Sequence, residues 1–444
     1  MAALASAIDE LGAFATRLGW WVVGADVSDR LALTLLDTLG VTLAGALTPE
    51  HRALVDAWSP PPGPARLVGC SRCTTVDAAA WLNGTAACCL ELDEGNKYAR
   101  GHPAAHVFPS ALALGEALGV SGSELCAALL AGHEVAARFG RAMQPVAGLH
   151  PHGHWGAVGA AAAAARLLGL GPEGVAAAID AAAGLPLASH FGSALRGSYV
   201  RNTWIGAANA NGLVAARLAA AGLASVDETA ALSLGSLLGE LDPGALTDEL
   251  GSRYDITRGY FKRHASCSYT HPPADAVLTL RRAHPELRPD DVAAVEVATH
   301  RLAAPLDGTS FPTRLAAMFS VPYVVAVALA EGACPPRVFD EHHRRDPTIL
   351  RLASLTTVRV DDDLDARLPA ERAAQVTVRR RDGATLLACV PNPVGDADHH
   401  PFGHREVMAK LEGLIGADRA RLLARIVEQL PDAADVAPLL GATP

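Results

Sequence analysis

Apolar residues in the first half of the chain recur at three- and four-residue spacing, the period of a helix with one buried face. Two amphipathic helices are predicted over residues 5–24 and 28–46, the second with Ser28 as its N-terminal cap. From Val76 to Gly222, apolar runs rich in Ala, Leu and Val follow one another, and several end in glycine. This pattern predicts consecutive helices throughout the first half.

The pattern changes near Tyr254, where shorter apolar runs replace the helical period. Strands are predicted in four places: residues 292–298, 356–360, 375–381 and 385–390. Asp382-Gly383 separates the last two and is a strong signal for a β-hairpin. Helical spacing returns over residues 322–331 and again over the closing run, residues 405–430.

These two patterns divide the chain into two predicted domains. A chain of 444 residues is long enough for more than one hydrophobic core. We predict a mainly α protein with a large all-α domain over residues 1–255 and a smaller α+β domain over residues 256–404. Residues 405–444 are expected to pack back on the first domain. Because half of the residues are hydrophobic but only 5% are aromatic, alanine must supply much of the helix packing.

Composition and charge exclude several classes of partner. The formal net charge is -10 and no basic run is present, so a nucleic acid partner is not expected. Residues 1–9 lack the basic flank and apolar core of a signal peptide, and the apolar runs are interrupted before they could span a membrane. A cytoplasmic location is therefore expected, with the eight cysteines reduced and no membrane partner.

The polar interval at residues 91–103 lies between two apolar runs and carries a high concentration of titratable groups. These are Glu91, Asp93, Glu94, Lys97, Tyr98, Arg100 and His102. Acids, bases and cations in one short interval suit proton chemistry on a charged small molecule. The alternative is a solvated loop between two helices whose charges form ion pairs.

Three more polar clusters interrupt the helices, each with a histidine, arginine or lysine close to a predicted helix start. They are residues 149–156, 199–204 and 261–273. A helix N-terminus carries free N–H groups and a partial positive charge, so it favours carboxylates. With Arg201 and Lys262 added, the clusters predict a pocket for a polycarboxylate. The alternative is a set of independent polar caps on helix ends.

The histidines of the second cluster raise the question of a metal site. His150-x-His152-x-His154 could place three imidazoles on one side of an extended segment, but no carboxylate or cysteine nearby completes a ligand set. The chain contains no H-E-x-x-H, no G-x-S-x-G of a nucleophilic serine, and no G-x-G-x-x-G after a strand. No metal or organic cofactor is therefore predicted.

Five stretches of the chain resemble motifs of the MmgE/PrpD family, which includes 2-methylcitrate dehydratases, cis-aconitate decarboxylase and iminodisuccinate epimerase. The first family motif is L-D-F-D-D-T, followed after six residues by H-P. It is similar to Leu90–Gly95 followed by His102-Pro103. Residues 149–156 resemble the family's F-H-P-T-G-T-x-G, and residues 201–208 resemble its K-x-L-H-x-G-x-A. Residues 262–271 resemble its K-P-Y-x-x-C-x-x-x-H, and residues 319–323 resemble its F-S-L-P-Y. The motifs occur in one order across nearly the whole chain.

The resemblance implies a large all-α domain and a smaller α+β domain with the site in the cleft between them. It also implies a homodimer and chemistry without a metal or organic cofactor. Four residues match positions assigned or proposed to be catalytic or substrate-binding, and we assign them to catalysis: Asp93, His102, His150 and Lys262. The motifs and clusters together predict six substrate-binding residues: Glu91, Lys97, His154, Arg201, His271 and Tyr323.

The chain departs from the family pattern at positions that would recognise a substrate. Glu91 and Glu94 replace aspartates of the first motif, and Gly95 replaces its threonine. Arg201 stands where lysine is usual, and Trp204 where histidine is common. We therefore expect a substrate shaped differently from 2-methylcitrate.

The predicted function is that of a cofactor-independent lyase, a dehydratase or decarboxylase, acting on a small di- or tricarboxylate. Arg201 and Lys262 would hold carboxylates, His102 or Asp93 would remove a proton alpha to a carboxylate, and His150 would serve as the acid. An epimerase or isomerase of a dicarboxylate would use the same proton abstraction but return the proton to the other face. A third alternative is a non-catalytic carboxylate binder, which needs cations but no base.

Overall fold

The computed structural model describes residues 2–444, and 58% of the residues are helical, so the protein is mainly α as predicted. Thirteen helices of ten or more residues lie within these residues. They are α1 (Ala2–Arg17), α2 (Ala25–Ala46), α3 (Pro49–Trp58), α4 (Val76–Cys88), α5 (Pro103–Leu118), α6 (Gly122–Ala142), α7 (Trp155–Leu167), α8 (Pro172–Ala183), α9 (Val200–Ala220), α10 (His271–Ala283), α11 (Val321–Glu331), α12 (His404–Ile415) and α13 (Ala417–Gln429). Shorter helices occupy Phe191–Leu195, Thr229–Leu232, Pro243–Thr247, Arg314–Met318, Glu341–Arg344, Pro347–Ser354, Asp362–Asp365 and Ala437–Leu440.

The predicted helix over residues 5–24 is wrong at its C-terminal end. α1 ends at Arg17, and a separate 3₁₀ turn, Trp20–Val22, follows. α2 begins directly after Gly24, so Ser28 lies inside the helix, where its hydroxyl donates to a carbonyl three residues back at 3.1 Å. Glycines on both sides of the turn explain the break, because glycine is a poor helix former.

α7 forms the centre of the helical core. Twelve of its thirteen residues are buried, most of them alanines, and α6 and α9 pack along it. A Cβ atom added to Gly159 of α7 would lie 2.4 Å from the carbonyl oxygen of Gly132 in α6. The two helix backbones therefore touch directly at these glycines, and the predicted packing through small residues is confirmed.

The four predicted strands form one mixed sheet. They are β1 (Val292–Thr299), β2 (Thr356–Val360), β3 (Ala374–Arg380) and β4 (Thr385–Val390), in the spatial order β4–β3–β1–β2. β1 and β2 run parallel, and the other pairs are antiparallel. The predicted hairpin joins β3 to β4 through Gly383, whose φ of 91° favours glycine. α10 packs against β3 and β4.

The closing segment consists of two helices, because Gly416, with a φ of 85°, separates α12 from α13. α12 packs against α2, where Lys410 Nζ lies 2.6 Å from Asp37 Oδ1. This contact joins the two ends of the chain, while the division into domains at residue 255 stays a prediction.

Within residues 2–444, no single helix has both the length and the apolar character needed to cross a bilayer; α2 and α3 meet that criterion only when joined across a 77° bend.

Candidate active site

A cavity of about 510 Å³ lies between the helices of the first half and the segments that follow residue 259. From the first half, Glu91, Arg100, His102, His150, His152, His154, Phe191 and Arg201 line it. From the second half, Tyr260, Ser268, Tyr269, Phe319 and Arg372 line it. The polar clusters that are far apart in the sequence thus meet around one space.

A short antiparallel ladder brings the first and fourth clusters together. Gly95–Asn96 pairs with Gly259–Tyr260, which places Lys262 beside Asp93. The Asn96 side chain strengthens the junction, because its amide donates to a carbonyl at Asp255, 2.9 Å away. The ladder is only two residues long, yet it positions the charged groups described next.

Two cavity-lining residues have a backbone conformation that is unfavourable for any residue with a Cβ atom. Glu91 has a φ of 51° and Arg100 a φ of 57°. A non-glycine residue in the left-handed region costs on the order of 1–3 kcal/mol and persists only where the surroundings enforce it. Such strain is concentrated at functional sites, so its presence on this wall supports a site here.

Four charged side chains form a buried network beside the cavity. Lys262 Nζ lies 2.9 Å from Asp93 Oδ1 and 3.3 Å from Glu91 Oε2, and Glu91 also pairs with Arg201. Burial lowers the pKa of Lys262, but the two carboxylates outweigh this and raise it above its usual value. Burial raises the pKa of Asp93, but His102, Lys262 and Arg201 hold it below its usual range. Asp93 and Lys262 are therefore charged, and the network pairs two acidic side chains with two basic ones.

His102 is the N-terminal cap residue of α5, as predicted, and its ring is fixed at one nitrogen. Nδ1 lies 2.6 Å from the carbonyl oxygen of Glu94, so Nδ1 carries the hydrogen and donates it. The same nitrogen lies 3.2 Å from Asp93 Oδ2. Burial lowers the pKa of His102 to about 3, despite the opposing effect of Asp93. His102 is therefore neutral near pH 7, with a free lone pair on Nε2.

His150 has the opposite tautomer. Its Nδ1 accepts a hydrogen bond from the backbone N–H of His152 at 3.1 Å, so Nε2 must carry the hydrogen. That N–H has no hydrogen-bond partner among residues 2–444. Burial lowers the pKa of His150 well below its usual value, and Arg201 adds to the effect. One cavity wall thus holds an imidazole that can accept a proton and another that can donate one.

His152 lies at the centre of an imidazole cluster. Its ring centroid is 4.4 Å from that of His150, 5.2 Å from that of His102 and 5.3 Å from that of His106. Neither of its nitrogens has a partner in the described part of the chain. His154 follows in the same segment, and its Nε2 lies 2.6 Å from the carbonyl oxygen of His150. Burial lowers the pKa of each ring, so the cluster is neutral.

Comparison with known proteins identifies the family. Residues 9–235 match the MmgE/PrpD N-terminal domain, and residues 264–431 match the MmgE/PrpD C-terminal domain. The chain belongs to the MmgE/PrpD family. The resemblance read from the five motifs is thereby confirmed.

Three relatives of this MmgE/PrpD protein are similar over nearly its whole length. A cis-aconitate decarboxylase of Aspergillus terreus (strain NIH 2624 / FGSC A1156) is 27% identical, with 97% of this chain and 94% of the relative covered. A second cis-aconitate decarboxylase of Aspergillus terreus is 26% identical with the same coverage. The cis-aconitate decarboxylase-like protein oryM of Aspergillus oryzae (strain ATCC 42149 / RIB 40) is 28% identical, covering 97% of this chain and 96% of the relative. The family and these relatives support a lyase function of the dehydratase or decarboxylase type.

Seven of the ten site residues predicted for this MmgE/PrpD protein come together at the cavity. Five of them line it: Glu91, His102, His150, His154 and Arg201. Asp93 and Lys262 lie directly behind this wall, in contact with His102 and Glu91. The spacing of the family motifs therefore selected groups that the fold does bring together.

The structure does not bring Lys97, His271 or Tyr323 to the cavity wall. Lys97 Nζ lies 3.0 Å from Asp396 and 2.7 Å from Asp398, and it donates to the carbonyl of Ala370 at 2.8 Å. His271 Nε2 lies 3.2 Å from a backbone carbonyl. The Tyr323 hydroxyl donates to a backbone carbonyl at 2.7 Å within an aromatic core. These side chains stabilise the segments around the site.

Arg201 lies in the first turn of α9, which begins at Val200. Its guanidinium stacks on the ring of Phe319, with 5.1 Å between the guanidinium carbon and the ring centroid. Trp204 instead packs against His150, with ring centroids 5.3 Å apart.

Several cavity residues carry no sequence signal that would have selected them. His152 was visible as a histidine but was not assigned a role, and Arg372 is one of 34 arginines with no motif around it. Tyr260 and Tyr269 flank Arg372 in the structure. Only the three-dimensional arrangement separates this arginine from those on the surface.

Among residues 2–444, no three His, Cys, Asp or Glu side chains are arranged to hold a metal ion. Activity without a metal or organic cofactor stays a prediction.

Proposed function

We propose that this protein is a lyase that removes a proton alpha to a carboxylate of a small di- or tricarboxylate, and then expels water or carbon dioxide. The observation that carries the proposal is the pair of opposite tautomers on one cavity wall. His102 presents a lone pair on Nε2, and His150 presents a hydrogen on Nε2. A base and an acid of this kind are the groups that such an elimination needs.

In the proposed reaction His102 is the base. Its Nε2 takes the proton and the ring becomes an imidazolium, whose Nδ1 side already contacts the Asp93 carboxylate at 3.2 Å. Asp93 therefore stabilises the charge that forms, in the way a buried aspartate stabilises the imidazolium of a catalytic triad. Lys262 holds Asp93 in place from the other oxygen.

His150 acts as a neutral acid in this scheme. In a dehydration its Nε2–H donates to the departing hydroxyl group, which leaves as water. In a decarboxylation the electron pair that stays on carbon when carbon dioxide leaves takes the proton from His150 Nε2, and the proton that His102 removed returns to the substrate. A neutral imidazole can polarise and protonate a substrate when burial keeps its pKa low. After product leaves a dehydration, water that enters the cavity carries the proton from the His102 imidazolium to His150; in a decarboxylation water supplies the one proton that is consumed. Both rings are then neutral again.

Arg201 is the proposed carboxylate-binding residue of the helical wall. One of its terminal nitrogens is held by Glu91, but Nε has no partner among residues 2–444. That N–H remains for a substrate carboxylate. Lys262, which is saturated by Glu91 and Asp93, is better suited to positioning the network than to direct binding.

An epimerase is the second candidate, and the same two tautomers favour it. An enzyme that inverts a carbon centre needs one group to remove a proton on one face and another to return it on the opposite face. His102 and His150 meet that requirement if the substrate lies between them.

The experiment that separates these functions is NMR in D₂O with a panel of polycarboxylates that includes cis-aconitate and 2-methylcitrate. Loss of water or carbon dioxide supports the lyase, and deuterium uptake with inversion supports the epimerase. A panel on which the protein neither releases a product nor exchanges a proton contradicts both and leaves carboxylate binding.

A further inference from the structure

The charges around the cavity are not balanced. Glu91 and Asp93 are neutralised by Arg201 and Lys262. Every other side chain lining the cavity that carries a formal charge near neutral pH is an arginine: Arg100, Arg301 and Arg372. The lining of the cavity therefore carries excess positive charge.

Only one of these three arginines has an acidic partner. Arg301 pairs with Asp365 at 2.5 Å, and its side chain is 63% exposed. Arg100 is partly buried and donates to the Met143 carbonyl and the Gln144 amide oxygen, both neutral, at 3.0 and 3.1 Å.

Arg372 is the most deeply buried of the three, with 5% of its surface exposed. Its guanidinium donates to Ser268 Oγ at 3.2 Å and lies between the rings of Tyr260 and Tyr269, 5.4 and 5.3 Å from their centroids. No carboxylate within residues 2–444 lies within 4.0 Å of it. A buried charge is costly unless it is paired, so an unpaired arginine at a cavity wall indicates an anion that arrives from outside.

The segment that carries Arg372 is held from several directions. The backbone N–H of Arg372 donates to Asn392 Oδ1 at 3.0 Å, and the Asn392 amide donates to the carbonyl of Ala370, also at 3.0 Å. Lys97 donates to that same carbonyl at 2.8 Å. The guanidinium is thus pre-positioned, which lowers the entropy lost when it binds a ligand.

We propose that Arg372 binds a carboxylate of the substrate at a second subsite, formed with Ser268, Tyr260 and Tyr269. The planar guanidinium can grip a carboxylate with two hydrogen bonds, and the tyrosine rings restrict its orientation. The inference rests on the proposed function and adds to it where two substrate carboxylates bind: one near Arg201 and the histidines, and the other at Arg372.

Calorimetric titration of the full chain with three unreactive acids tests this subsite. Tricarballylate, glutarate and butyrate are built on the same three-carbon propane unit, which carries three, two and one carboxylates respectively. The unmodified protein should bind the first two much more tightly than butyrate. In Arg372→Gln, affinity for glutarate should fall by roughly tenfold or more, the effect of one lost hydrogen bond to a charged group, while affinity for butyrate stays the same.

Two further variants complete the test. Arg372→Lys keeps the charge and should fold even if the glutamine variant does not; it should bind glutarate more weakly than the unmodified protein because it lacks the planar fork. Arg301→Gln removes an equal charge from the cavity rim and should leave the affinities nearly unchanged. Equal glutarate binding by the unmodified protein and the Arg372 variants, an equal loss in Arg301→Gln, or no binding of any acid would overturn the subsite.

The subsite and the proposed function can fail separately. Arg372-dependent glutarate binding without turnover in the NMR panel would leave the subsite and reject the lyase. Turnover of a polycarboxylate, together with glutarate binding that is unchanged in the Arg372 variants, would support the lyase and reject the subsite.

Discussion

At the scale of single residues, the proposed base and acid, His102 and His150, differ in which ring nitrogen carries the hydrogen. Backbone groups decide this difference: the carbonyl of Glu94 accepts from His102, and the N–H of His152 donates to His150. Because backbone positions are more constrained than side chains, the assignment of base and acid is built into the fold. Burial then keeps both rings neutral, so neither role depends on pH near neutrality.

His102→Ala tests the base. The variant should fold normally and lose at least roughly 10²-fold in turnover, the low end for a lost general base. His51→Ala is the matched control, since His51 is equally buried but lies outside the cavity, and it should keep its turnover. Steady-state kinetics with circular dichroism measures both effects. Near-normal turnover in folded His102→Ala would remove this residue from the mechanism.

Arg201→Lys tests the carboxylate-binding wall. Lysine could still approach Glu91, but it would lose the Nε–H and the flat contact with Phe319. We expect kcat/KM for the true substrate to fall by roughly tenfold, because one charge-assisted hydrogen bond is lost. We also expect poor turnover of 2-methylcitrate by the unmodified protein. An unchanged kcat/KM in Arg201→Lys, or efficient dehydration of 2-methylcitrate by the unmodified protein, would show that the pocket is not shaped for a substrate different from 2-methylcitrate.

At the scale of helices, the contact between α6 and α7 determines where the second histidine segment lies. His154 is the cap residue of α7, so any movement of this helix also moves His150 and His152. The helices approach closely because glycines, Gly132 and Gly159, stand at their contact. Gly132 and Gly159 therefore help to position the histidine segment, although neither glycine lines the cavity.

Gly159→Ala should destabilise the protein by about 1–3 kcal/mol, the usual cost of overpacking a core. The added Cβ would lie 2.4 Å from a backbone carbonyl and 2.5 Å from the Cβ of Ala136, and neither atom can move independently of its helix. Gly413→Ala in α12 is the control, because its Cβ would meet no atom within 4 Å. That variant should gain up to about 1 kcal/mol from its higher helix propensity. Urea unfolding compares the two, and equal stabilities would contradict the close approach.

At the scale of the whole molecule, burial of neutral histidines links stability to pH. Burial lowers the pKa of eight of them: His51, His102, His106, His150, His152, His154, His271 and His300. In the unfolded chain these groups take up protons below their ordinary pKa of about 6.5, whereas the folded chain does not until the pH is far lower. Four carboxyls whose pKa burial raises act in the opposite direction: Asp37, Glu116, Glu134 and Asp180.

The free energy of unfolding should therefore fall as the pH decreases from 7 to 5. Each histidine that stays neutral in the fold contributes a slope of roughly 1.4 kcal/mol per pH unit once the pH is below its unfolded value. The histidines outnumber the opposing carboxyls, so the net slope is positive with pH. Urea unfolding at several pH values measures it. A stability that is constant or that increases on acidification would show that the rings are not held neutral.

The interactions that the sequence determined by itself are local. Helical period, strand alternation and the Asp382-Gly383 turn act over a few residues, and they predicted the helix-rich first half, all four strands and the hairpin. The end of the first helix at Arg17 and the helix break at Gly416 were missed, because apolar spacing continues across both. Seven of the ten residues selected from the motifs and clusters lie at the cavity or directly behind its wall, since each motif is a short stretch that carries its own chemistry.

Only the tertiary structure decided which charges meet. Lys97 pairs with Asp396 across 299 residues of chain and does not line the cavity, and Arg372 meets Ser268 across 104 residues. No spacing rule covers such distances, because they depend on how the sheet segment folds against the helices. Whether a cationic side chain has an acidic partner depends on all the residues that the fold places around it. For that reason the balance of Arg201 and Lys262 and the unpaired charge of Arg372 became visible only in the fold.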